Sequence, residues 1–152
     1  MVRDIAAVVL GYVTIFVVLF LTFMGLYAAL GAERVFRPGS YEVSHLWAMA
    51  SLVVSLVAAA VGGMVAGLIA RSDRPIWVFA GLLVVLGVLS ALAQNAKPLP
   101  AGARPADLSG LAAMQENRTP LLLGLAMPVI GAVGVIVGAR LVRRPASPSP
   151  HP

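Results

Sequence analysis

The chain contains no cysteine. Disulfides, thiolate nucleophiles and cysteine-ligated iron–sulfur clusters are therefore excluded. Histidine is nearly absent too: His45 lies in the chain, and His151 in a proline-rich tail. A haem held by two histidines inside one bundle is excluded on that count. Charge is equally scarce, at 11% of residues, where a soluble domain carries about 25%. Of the 11 Lys and Arg residues, all but Lys97 are arginine.

The scarce charges avoid the apolar runs. No Asp, Glu, His, Lys or Arg interrupts Ile5–Leu30, Leu46–Ala70, Ile76–Ala93 or Leu121–Ala139. Proton-coupled pumps and exchangers place such groups inside the membrane, and here only Tyr12 and Tyr27 are ionisable within the runs. The net charge of +5 is not a nucleic-acid footprint, because the basic residues flank the apolar runs and no aromatics interleave with them for base stacking. Nucleic acid is not expected as a partner. No strand–glycine–helix nucleotide pattern and no zinc-protease pattern occurs.

What remains is apolar: 60% hydrophobic residues and a mean hydropathy of +0.95. About 20 apolar residues span a bilayer core, and the pattern predicts four such helices, at about 5–30, 46–70, 75–93 and 120–142. The fold class expected is an all-α integral membrane protein, a four-helix transmembrane bundle occupying residues 1–144. One short amphipathic surface helix is expected in the third loop, at Pro105–Glu116, where Leu108, Leu111 and Ala112 take a helical spacing. Residues 145–152 alternate proline with small polar residues and read as a disordered tail. Ile5–Leu30 is longer than the apolar core of a signal peptide, which has about 7–15 residues.

The second run carries two rows of small residues. Ser51, Ser55, Ala59, Gly63 and Gly67 are spaced by four, and Ala58, Gly62, Ala66 and Ala70 lie beside them. Residues four apart stack on one helix face. In lipid such a surface lets backbones approach closely, as in the GxxxG pattern of Gly63 and Gly67. Gly134 and Gly138 form a second GxxxG in the fourth run. Ser55, Ala59, Gly63, Gly67, Gly134 and Gly138 are thus the expected helix-packing residues, with the second helix central. Gly11, Val18 and Gly25 give the first helix a seam of its own, and Thr14 and Thr22 can bond back to their own helix.

Punctuation sets the connections. Ser44 is the expected N-cap of helix two, and Trp47 falls at an interface depth. The short Arg71–Arg74 connection predicts helices two and three as an antiparallel pair. Pro75 and Pro120 sit where a helix start tolerates them. Pro128, inside the fourth helix, removes a bond to Gly124, and a kink is expected at this pair. Arg3, Arg71, Arg74, Arg140, Arg143 and Arg144 share one side. Arg34, Arg37, Lys97, Arg104 and Arg118 share the other, mostly in longer loops. Short flanking segments weigh more in orientation, which places both termini in the cytoplasm, with the arginine-rich, Ala- and Gly-rich composition pointing to a bacterial cytoplasmic membrane.

Catalytic material is thin. Glu33, Glu42, His45, Asp107, Ser109 and Glu116 all fall on the opposite face. Glu42, His45, Asp107 and Glu116 are the candidate outer-face binding residues, but their spacing supports no metal site. No enzyme, cofactor or metal is expected. Two functional classes remain. The first is a structural or interaction subunit that self-associates or joins a larger membrane complex through glycine-rich faces. The alternative is a carrier or channel for a neutral or lipophilic small molecule.

Overall fold

A computed structural model describes residues 2–38, 41–97, 111 and 119–143. Four helices make up almost all of it: α1 Val2–Val35, α2 His45–Ile69, α3 Arg74–Ala96 and α4 Leu121–Val142. Each is long and apolar enough to cross a membrane, and together they pack as a bundle. The large side chains Phe16, Leu21, Leu68, Trp77, Leu89, Leu122 and Leu141 all point outward, which places the bundle in a lipid bilayer rather than in water. The surface-helix expectation for Pro105–Glu116 lies outside the described residues except at Leu111, which is exposed. The tail at 145–152 also lies outside them.

The packing order around the bundle is α1, α2, α4, α3. This differs from the α2–α3 pair expected from the short connection. The two helices run antiparallel, but they sit on a diagonal and meet little. A short connection fixes direction; side chains choose the neighbour. The α2 rows of small residues make that choice, and each row serves a different helix.

The row of Ser55, Ala59, Gly63 and Gly67 faces α4, which runs parallel to α2. A Cβ on Gly63 would lie 2.7 Å from the Val135 Cα, and one on Gly67 would lie 2.9 Å from the Ala139 Cα. The contact is reciprocal: a Cβ on Gly134 would lie 2.8 Å from the Ala59 Cβ, and one on Gly138 would lie 2.8 Å from the Ala60 Cα. Ser55 adds a hydroxyl contact to the Met127 Sδ at 3.7 Å. The second row, Ala58, Gly62 and Ala66, faces the antiparallel α1. There a Cβ on Gly62 would meet the Gly11 carbonyl oxygen at 2.7 Å, and one on Gly11 would meet the Ala66 Cβ at 3.1 Å. With little hydrophobic drive between helices in lipid, this close backbone approach is what holds them.

Across the bundle, α4 packs on the antiparallel α3. The Pro128 ring lies against Gly87, where a Cβ would come within 2.6 Å of the proline Cβ. Gly124 faces Ala91, with 3.3 Å from a built Cβ to the alanine Cβ. The helix is continuous through Pro128 from Leu121 to Val142. Gly87, which interrupts the apolar run of α3 for no reason visible in its own helix, is the recess for that ring.

The ends are tied by side chains. Ser44 caps α2, its Oγ accepting from the Trp47 backbone N–H at 3.2 Å while donating to the Arg34 carbonyl at 2.6 Å. Thr14 bonds back to the Leu10 carbonyl at 2.7 Å. At the other end of α2, Arg3 donates to the Ile69 carbonyl at 2.8 Å. Arg143 donates to the carbonyls of Ala70 at 3.0 Å and Ser72 at 2.5 Å, and pairs with Asp73. These arginines satisfy carbonyls that a helix C-terminus leaves without partners.

Candidate functional site

The connection from α1 to α2 is a folded cap. α1 breaks at Gly31, whose φ of 70° and ψ of 165° are not helical. The chain then forms one antiparallel bridge between Phe36 and Val43. It is closed by the Arg37 N–H to the Glu42 carbonyl at 2.9 Å and the Ser44 N–H to the Val35 carbonyl at 2.8 Å. Charged residues flank the apolar ones here, and Val35, Phe36 and Val43 join Trp47 in a buried cluster over Phe23, Leu26, Tyr27 and Leu30. Trp47 is therefore buried among side chains at this end of the bundle, its ring centroid 5.5 Å from that of Phe23.

A second cluster closes the bundle near the 70–73 turn. Ile15, Ala58, Ala59, Ala66, Ile76, Phe79, Val135 and Ala139 meet there. The close Gly11–Phe79 contact joins α1 to α3 at this level. Between the two clusters the helices diverge and leave a cavity of about 480 Å³. That is within the range of small-molecule pockets, about 300–1,000 Å³.

All four helices contribute to its wall. Apolar lining comes from Ile15, Leu19, Phe23, Leu83, Met127 and Pro128, among others, and polar lining from Tyr12, Tyr27, Ser51, Ser55, Ser90, Gln94 and Thr119. Among the described residues no lining residue is charged. The side chains of Ser51, Ser90 and Gln94 make no hydrogen bond among the described residues, which leaves their groups available to a guest. The exposed lining residues are Tyr12 on α1 and Leu86, Ser90 and Gln94 on α3; those from α2, α4 and the cap are buried or half-buried. The cavity therefore opens sideways between α1 and α3, two helices that meet only sparsely. Gly131 of α4 borders the cavity, and a Cβ there would meet no atom within 4 Å.

The residues singled out from sequence fall elsewhere or only partly here. Ser55 and Ala59 line the cavity, as do Gly124 and Pro128. Gly63, Gly67, Gly134 and Gly138 are buried in the α2–α4 contact. Glu42 pairs with Arg37 at 2.9 Å on the exposed side of the cap, and His45 is exposed at the start of α2. Asp107 and Glu116 lie outside the described residues. Among the described residues no three His, Asp or Glu side chains gather as a metal site. Phe36, Ser51, Ser90 and Gln94 were missed as lining residues. The spacing of Ser90 and Gln94 by four, on an otherwise apolar helix, is the signal that points to them.

No known protein-family model matches the chain, and no curated protein or solved structure matches it.

Proposed function

We propose that this is a non-enzymatic integral membrane protein that binds a neutral, lipophilic small molecule between its helices and acts as its carrier. The observation that carries this reading is a cavity whose described wall carries no charge and is most exposed between α1 and α3. A charged guest would find no counter-charge among the described residues of that wall, and burying an unpaired charge is costly. An apolar guest with one or two hydroxyl or carbonyl groups would find apolar surface along α1 and α4 and hydrogen-bonding partners at Ser51, Ser90 and Gln94. In this reading the protein sits in a bacterial cytoplasmic membrane, with the 70–73 turn, Arg71 and Arg74, and both chain ends on the cytoplasmic side.

The competing reading, an interaction subunit docking through glycine-rich faces, has less surface to work with. The α2 glycines and Gly134 and Gly138 of α4 are engaged within the chain, Gly131 faces the cavity, and Gly25 and Gly81 are the exposed helical glycines with open space around them.

Gly131→Leu separates the two. It adds a branched side chain to the cavity wall where a Cβ meets no atom within 4 Å, so the bundle should still form. Thermal unfolding in mild detergent is followed with added farnesol or monoolein as neutral probes and oleate as a charged one. The neutral probes should raise the unfolding temperature of the natural chain and leave Gly131→Leu unchanged, with oleate inert in both. No stabilisation by either neutral probe, or equal stabilisation of both chains, would remove the carrier reading.

A further inference from the structure

A second, smaller hollow of about 220 Å³ lies between α3 and α4 at the opposite end of the molecule, beside the 70–73 turn. Its wall is Asp73, Ile76, Trp77, Ile136, Ala139, Arg140 and Arg143. The two arginines differ in kind. Arg143 is turned inward, its guanidinium committed to Asp73 and to the carbonyls of Ala70 and Ser72. Asp73 is thereby neutralised. Arg140 is exposed and makes no hydrogen bond or ion pair among the described residues. Among the described residues the hollow thus carries one uncompensated positive charge, set against the exposed Trp77 ring and the Ile136 side chain.

From this arrangement we infer a binding site for the phosphodiester headgroup of an anionic phospholipid, in the leaflet on the side of the 70–73 turn. Three features of the site bear on that ligand. An arginine offers a planar fork of donors that matches phosphate oxygens in pairs. Tryptophan at this depth lies where headgroups meet acyl chains. The apolar floor of Ile76, Ile136 and Ala139 suits the first methylenes of a chain, which a free anion lacks. Basic pockets between transmembrane helices are recurrent sites for anionic headgroups. The site is remote from the cavity at the other end, and it stands whether or not that cavity binds anything.

The test uses the full chain in mild detergent, with retained lipid counted by native mass spectrometry during titration with phosphatidylglycerol, phosphatidylcholine or inorganic phosphate. The natural chain should retain one phosphatidylglycerol in preference to phosphatidylcholine, and inorganic phosphate should not compete at equal concentration. Arg140→Gln should weaken that retention by roughly fivefold, as expected for one cation at the membrane surface. Arg140→Lys should recover part of it. Arg74→Gln removes an exposed cation from the same face that does not line the hollow, and it should leave retention unchanged. Equal retention of phosphatidylcholine would overturn the inference. So would equal loss in Arg74→Gln and Arg140→Gln, which would indicate diffuse attraction. Effective competition by inorganic phosphate would make this an anion site and would overturn the lipid assignment.

Discussion

Glycine stands in three different situations in this chain, and single substitutions tell them apart. Gly31 is needed for its backbone: no atom lies within 4 Å of a built Cβ, but its φ of 70° is on the left-handed side. Any L side chain there is strained by about 1–3 kcal/mol, so Gly31→Ala should lower the unfolding temperature by loosening the entry to the cap. Gly81 has the same open space but an ordinary helical backbone on an exposed face. Gly81→Ala should therefore be neutral or should stabilise, by up to about 1 kcal/mol from helix propensity alone. Paired thermal melts in detergent check both, and a Gly31→Ala protein as stable as the natural one would contradict the break assigned to that residue. Gly63 belongs to the third kind, needed for the closeness of its neighbour.

At the scale of elements, the α2–α4 contact is the tightest in the bundle. Gly63→Leu would drive a branched side chain into the Val135 backbone, which cannot rotate away as a side chain can. Overpacking of this kind costs about 1–3 kcal/mol or more. Val65→Leu, half-buried and off both small-residue rows, should cost far less. Unfolding temperatures of the two variants check the contrast, and equal effects would mean that α2 does not use this face. The rows were legible because four-residue spacing of small side chains reports a helix face directly. Which helix each row meets was not legible. The choice depends on matching recesses far apart in sequence, such as Gly87 for the Pro128 ring and Gly138 for the Ala60 backbone. The cap at 35–44 escaped notice for a related reason. Its Arg and Glu residues read as a solvated loop, while only three apolar residues, Val35, Phe36 and Val43, carry its inward side. The cavity is harder still to read from sequence, because it is a place where four helices fail to meet.

The whole molecule is four helices, closed at one end by the Phe36–Trp47 cap cluster and near the other by the Phe79 cluster, with a sideways opening between. Its directionality is open to test. Reporter fusions at Ser72 and at Gly102 flank α3 and should report opposite sides of the membrane, Ser72 on the cytoplasmic side; equal signals would contradict a spanning α3. The occupancy of the cavity is the more telling property. The account turns on native mass spectrometry of the full chain taken gently from membranes, with no ligand added, beside Gly131→Leu prepared in the same way. The natural chain should carry one neutral, lipophilic adduct per chain that survives partial delipidation, and Gly131→Leu should be folded and bare. A bare natural chain, or the same adduct on both, would contradict it.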